Sequence, residues 1–169
     1  MYILNLSLGN DYLSNTLSCL NNCKIQPLKN PIFEKIYKLS YPNPTKNSFN
    51  KTDIIICNTF TFKNAEFFND FYCTSSYIIF PEIFRFIGNL KPKLFIILDK
   101  TEYTNSRHYE EFKILVTSLS YTIIENSVTI DNVNYSLILG IKPCYIPNNF
   151  VFHSKNTKEL LEKFISFII

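Results

Sequence analysis

Apolar and polar positions along this chain follow two rhythms, and each rhythm predicts its own element. Residues 2–6 are a short apolar run closed by Gly9-Asn10-Asp11. Tyr12, Leu13, Thr16, Leu17 and Leu20 then recur at helical spacing, so a strand, a turn and a helix are expected. A second brief strand fits residues 24–28. Pro31, at a position where its fixed backbone suits a helix start, opens a helix carrying Ile32, Phe33, Ile36, Tyr37 and Leu39. Pro42 and Pro44 end it, and the Pro-, Asn- and Lys-rich residues 41–51 predict a surface loop.

Residues 53–57 form a β-branched run without alternation, as expected of a strand buried on both faces of a parallel sheet. A loop with room for a helical turn near Phe67 leads to a predicted helix over 77–90, with Ile79, Ile83, Phe86, Ile87 and Leu90 on one face. Pro81 falls within its first two turns, where proline is tolerated. Residues 94–98 are another buried strand, ending at Asp99. A helix over about 106–119 turns Phe112, Leu115, Val116 and Leu119 inward and leaves Glu110 and Glu111 in water. The β-rich runs 121–128 and 133–141 are separated only by Thr129-Ile130-Asp131-Asn132, too few residues for a parallel crossover, so they predict an antiparallel hairpin. Residues 143–154 read as loop, and 157–169 as a helix with Leu160, Leu161, Phe164, Ile165 and Ile168 along one stripe.

Strands that alternate with helices imply an α/β fold: a mostly parallel sheet, helices on both faces, and a terminal antiparallel hairpin. Such sheets bind ligands beyond the carboxyl ends of their strands. At 169 residues the chain predicts one domain able to bury its own core, and the apolar 46 % and charged 18 % are ordinary for a globular protein. Cys19, Cys23, Cys57, Cys73 and Cys144 are an odd set of five without a CxxC pair, which predicts a reducing, cytoplasmic setting. No apolar run reaches the length of a membrane span, so no membrane partner is expected. His108 and His153 lack the Cys or carboxylate spacing of a zinc site, and no metal is expected. The net charge of +3 is small, but Lys24, Lys29, Lys35, Lys38, Lys46 and Lys51 crowd the first third against Glu34 alone. They form either a solvated basic face or one that meets phosphates.

With the elements placed, Ile3-Leu4-Asn5-Leu6-Ser7-Leu8-Gly9 resembles the first motif of the cytosine-5 methyltransferases, most closely their tRNA-type branch: an apolar pair, an acid, Leu, an aromatic, Ser and Gly. Ile36-Tyr37-Lys38-Leu39-Ser40-Tyr41-Pro42 resembles that family's Val-Tyr-Lys-x-Asn-Phe-Pro segment. The segment from Asp53 to Thr61 lies where its Pro-Pro-Cys motif belongs, and 94–101 where its strand ending in Glu-Asn-Val belongs. The hairpin falls at its Arg-x-Arg strand, and the last helix resembles its closing helix. The resemblance implies a Rossmann-like methyltransferase fold over residues 1–169, truncated by the absence of the family's target-recognition domain.

The resemblance also implies a chemistry, and the matching positions depart from it. The family attacks the pyrimidine with a cysteine thiolate; here Thr61 stands in its place, with Cys57 four residues earlier inside a strand. The family's Glu corresponds to Asp99, which either keeps the charge on a shorter arm or caps the next element. The arginine pair is missing, Asn132 and Asn134 stand in the hairpin, and Arg85 and Arg107 are the only arginines in the chain. S-adenosylmethionine needs a Gly-rich turn and a ribose-binding acid. Gly9 is the only glycine in the turn, Asn5 replaces the first motif's acid, Ser7 replaces the aromatic, Lys29-Asn30 stands where the second strand should present a carboxylate, and Asp11 is a partial substitute or a turn residue. The expectation is a catalytically inactive fold without cofactor, acting as a binding module on RNA, either tRNA or the ribosome. The alternative is a protein-interaction subunit docking through the aromatic-rich Phe60, Phe62, Phe67, Phe68, Phe71 and Tyr72, since exposed apolar patches mark contacts. An active enzyme with a relocated nucleophile is a third reading.

Overall fold

The structure, a computed structural model, describes residues 1–7, 12–19, 23–27, 52–59, 75–100, 106–146, 156–166 and 168. Its elements run β1 (Tyr2–Asn5), α1 (Tyr12–Ser18), β2 (Lys24–Pro27), β3 (Ile54–Asn58), α2 (Ser75–Leu90), β4 (Leu94–Lys100), α3 (Arg107–Ser118), β5 (Thr122–Ile130), β6 (Val133–Ile141), a 3-10 turn (Pro143–Tyr145) and α4 (Thr157–Ser166). The predicted helix opened by Pro31, the loop over 41–51 and the turn near Phe67 lie outside the described residues.

The six strands form one sheet in the order β2-β1-β3-β4-β6-β5. β2, β1, β3 and β4 are parallel, β6 runs antiparallel to β4, and β5 pairs with β6 as the predicted hairpin. Alternation divides the strand side chains between two layers. Leu4, Ile55, Cys57, Phe95, Ile97 and Ile138 pack with α2 and α3. Ile3, Ile54, Ile56, Ile96, Leu98 and Leu139 pack with α1 and α4. All five residues of β3 are fully buried, which explains its lack of alternation: both faces meet apolar helices.

Four details differ from the sequence reading. The helix predicted from residue 77 starts at Ser75, so Pro81 is its seventh residue. The hairpin strands run further than expected and leave only Asp131 and Asn132 as the turn, both at positive φ (49° and 62°), the backbone that a two-residue turn requires. The final helix stops at Ser166, with Ile168 buried just beyond it. Leu115, expected inward, is 43 % exposed, because Tyr109, Phe112 and Val116 already occupy the stripe of α3 that faces the sheet. Among the described residues no helix is long and apolar enough to cross a membrane.

The amino ends of the strands are fastened by Asp53. One carboxylate oxygen accepts the Tyr2 N–H at 3.0 Å, the other lies 3.1 Å from Lys93 Nζ, and its backbone carbonyl accepts the Lys93 N–H at 2.8 Å. Partial burial pushes this carboxyl up, but the Tyr2 N–H, Lys93 and the chain amino terminus together outweigh burial and hold it below the usual carboxylate range. A carboxyl depressed in the folded state adds stability above its unfolded pKa and loses it as pH falls through the folded value. Asp53→Asn is therefore expected to cost about 1 kcal/mol at neutral pH. That gap should close once the pH drops below the carboxylate range, as urea unfolding at the two pH values would read. An equal cost at both pH values would show that the charge contributes nothing.

Candidate functional site

The described residues include seven buried polar or charged side chains, of which Asn5, Ser7, Asn58, Thr59, Asp99 and Ser136 gather in one place, the seventh being Thr157 on α4. Asn5 and Ser7 end β1, Asn58 and Thr59 end β3, and Asp99 lies in the last turn-ward part of β4 opposite Ser136 of β6. They form a row along the carboxyl ends of the parallel strands, the edge at which such a sheet holds its ligands.

Asn5, Ser7 and Thr59 bond to the backbone of the strand ends. The Asn5 side-chain carbonyl accepts the Ser7 N–H at 2.9 Å, and the Ser7 hydroxyl accepts the Asn58 N–H at 2.8 Å. The Thr59 hydroxyl donates to the Leu98 carbonyl at 3.2 Å. β1 is thereby tied to β3, and β3 to β4, just where their ladders run out. Asp99 is 2 % exposed and lies within β4; the N-cap of the next helix is Ser106, so the capping role open to Asp99 belongs to Ser106.

Asp99 and Ser136 face the α2–α3 layer, by alternation with Ile97 and Ile138. Tyr109 of α3 is buried there. Burial first, then the charges of Glu125, Glu110 and Asp99, hold its phenol far above its ordinary range. It keeps its proton and can donate a hydrogen bond. Lys113 lies 4.9 Å from the Tyr109 ring centre, 2.7 Å from Glu110 and 3.4 Å from Glu125, and its ammonium balances those two acids. The sequence reading missed Tyr109 and Ser136. A lone Ser ahead of Leu137-Ile138-Leu139 was the available signal for the second; Tyr109 reads as one more aromatic.

Of the other predicted site residues, Asn134 is exposed at the start of β6 and accepts the Thr129 hydroxyl at 3.0 Å across the hairpin. Gly9, Asp11 and Thr61 lie outside the described residues, as do Lys29, Lys35, Lys38, Lys46, Lys51 and the aromatics Phe60, Phe62, Phe67, Phe68, Phe71 and Tyr72. Lys24 is exposed at the amino end of β2, on the opposite edge. Arg85 pairs with Glu82 within α2, and Arg107 with Glu111 within α3.

Four cysteines are described, and none presents a thiol at the carboxyl edge. Cys57 is 0 % exposed, sealed between β3 and the α2–α3 layer. Cys19 follows α1, Cys23 precedes β2 and Cys144 follows β6, all at the amino edge. Cys73 lies outside the described residues. Asn5 is 2 % exposed, with its side-chain oxygen engaged by the Ser7 N–H.

No protein-family model and no curated protein matches the sequence. Solved structures do. The Dnmt2 methyltransferase of S. pombe superposes with a TM-score of 0.60 at 14 % identity, over 88 % of this chain and 50 % of that one. A protein described as a DNA modification methyltransferase, encoded within an E. coli prophage, gives 0.55 at 14 % identity, over 92 % and 51 %. The Entamoeba histolytica methyltransferase EhMeth gives 0.51 at 14 % identity, over 89 % and 60 %. The chain thus spans about half to three fifths of the length of these structures. At such identity the likeness speaks to fold alone, and the fold is a methyltransferase-like, Rossmann-like α/β sheet closed by an antiparallel hairpin.

Proposed function

We propose that this chain is a methyltransferase fold without methyltransferase chemistry, a cytoplasmic binding module whose partner is RNA. The observation that carries the loss of chemistry is the engagement of the carboxyl edge with itself, and the lysine-rich first third of the sequence is what points to RNA. Ser7 and Thr59 spend their side chains on the N–H and C=O groups of neighbouring strand ends, and Asn5 spends its oxygen on the N–H of Ser7. A working site keeps such groups aimed at a ligand, as preorganised donors and acceptors. The burial of Cys57 supports the same reading, because a thiol sealed in the apolar core is out of reach of a substrate at the carboxyl edge. Thr61, at the position of the family's nucleophile, offers only a hydroxyl.

Calorimetry with S-adenosylmethionine, followed by titration of a labelled tRNA or single-stranded RNA at low salt, tests the two halves. The expected result is no heat with the methyl donor and measurable RNA binding that weakens as salt rises. Micromolar binding of the donor would revive the enzyme. A second reading has one specific observation behind it: Ile114 and Leu115 are 70 % and 43 % exposed side by side on α3, next to a shallow groove lined by Pro81, Phe84 and His108. This makes a protein-interaction subunit the alternative, and a monodisperse chain that copurifies with no protein would count against it.

A further inference from the structure

The amino edge of the sheet, opposite the edge just described, carries a continuous basic and aromatic surface. Lys24 follows Met1 in the edge ladder, with its N–H on the Met1 carbonyl at 3.0 Å and its ammonium 5.9 Å from the Tyr2 ring centre. Tyr2 is linked through Asp53 to Lys93, whose ammonium is 5.8 Å from the Tyr145 ring centre. The backbone of Lys142 bonds to Lys93 at 3.2 Å, and its ammonium reaches the Lys91 carbonyl at 3.1 Å. Each link in this series is a direct contact, so Lys24, Lys93, Lys91 and Lys142 lie along one edge. Asp53 is the only carboxylate in the series, one against four lysines.

We propose that this edge is where single-stranded RNA binds, its phosphates on Lys24, Lys91, Lys93 and Lys142 and a base on Tyr2. The inference rests on the RNA-binding reading above and adds its location, the edge away from the methyltransferase-like crevice. Charge complementarity selects a polyanion, since Lys24 and Lys91 are exposed and Lys93 keeps 36 % of its side chain in water. The rings select a single strand over a lipid headgroup surface. Tyr2 is 40 % exposed on the edge of the sheet and lies beside a lysine, the pairing of stacking platform and cation that holds unpaired bases. A lipid surface needs an apolar face that can insert, and the polar Tyr2, Lys24 and Lys91 do not supply one.

Fluorescence anisotropy of a labelled 12-nucleotide RNA separates these roles. For the full chain the logarithm of affinity is expected to fall with the logarithm of salt at a slope of about −3, from about 0.7 for each of four phosphates on a single strand. The variant Lys24→Gln/Lys91→Gln/Lys142→Gln should bind at least about tenfold more weakly at low salt, with the slope reduced by about 2. Tyr2→Ala should lose about tenfold with its slope unchanged, because stacking releases no counterions. The control Arg107→Gln/Lys158→Gln/Lys163→Gln removes the same charge from α3 and α4 and should leave both quantities near the parent values. Equal losses in the two triple variants, or RNA binding untouched by the edge variant, would overturn the location and leave the RNA reading standing. An intact chain with no affinity for RNA at low salt would remove both. Tighter binding to phosphatidylserine vesicles than to RNA, abolished by the same edge variant, would assign the edge to a membrane surface instead. Circular dichroism of each variant confirms that it is folded.

Discussion

Gly140→Ala is expected to lower the melting temperature by roughly 10 °C. Gly140 sits in β6 directly opposite Phe95 of β4, and a Cβ placed on it would lie 1.9 Å and 2.0 Å from the Phe95 ring carbons Cζ and Cε1. Those distances are far inside contact, so either the ring or the strand must move. The ring has little freedom. It packs edge-on against Phe112 at 5.9 Å and tilted against Tyr121 at 5.4 Å. Phe112 in turn meets Phe80 at 5.1 Å, and the Tyr121 hydroxyl is held by the Pro92 carbonyl. The strand has no more freedom, being paired on one side with β4 and on the other with β5. Overpacking of this kind costs about 3 kcal/mol.

A double variant shows whether the ring is the cause. Phe95→Leu removes the part of the ring that the new methyl would strike, at the cost of a poorer core. If the clash with Phe95 is what destabilises Gly140→Ala, the two changes together should cost at least about 1 kcal/mol less than their sum. Strict additivity would mean that Gly140 is needed for its backbone and not for the space above it. A melting temperature within a degree or two of the parent would discard the account altogether.

The contrast between Gly140 and its neighbours marks where the sequence is informative. The order and type of the elements are legible, because Ile54-Ile55-Ile56 has no polar position to expose and Leu160, Leu161, Phe164 and Ile165 recur at the helical period. The antiparallel hairpin is legible from the length of its connection. Properties set by tertiary register are not. Which residue faces Gly140, and whether Leu115 or Tyr109 fills the inner stripe of α3, depend on how layers meet, and period alone leaves both open. The candidate site divides the same way. Asn5, Ser7 and Asp99 are legible as departures from a motif, but the sequence does not show that all three are buried or that Asn5 and Ser7 join into a strut to β3. The aromatic and basic edge formed by Tyr2, Lys93 and Lys142 joins residues from opposite ends of the chain, and no local pattern announces it.

Ser7→Ala is expected to cost about 2 kcal/mol, and the sign of that change tests what the carboxyl edge has become. In a working site, polar groups are held where the reaction needs them, often at some expense to the fold, so their removal frequently stabilises the protein. A strand-holding group behaves in the opposite way. Ser7 is 6 % exposed, and its hydroxyl accepts the N–H of Asn58, which is 0 % exposed. Alanine would leave that N–H facing a methyl group, with no water to replace the lost acceptor. Asn5→Ala should cost a similar amount, about 2 kcal/mol, by stranding the Ser7 N–H. Because Asn5 orients Ser7 and Ser7 holds Asn58, the double variant should cost less than the sum of the two, the mark of one connected strut. Urea unfolding of the three variants measures all of this without any ligand. Stabilisation by Ser7→Ala and Asn5→Ala, each by 0.5 kcal/mol or so, would mean that these side chains are still kept for something they bind, and the proposal of a retired site would fall with it.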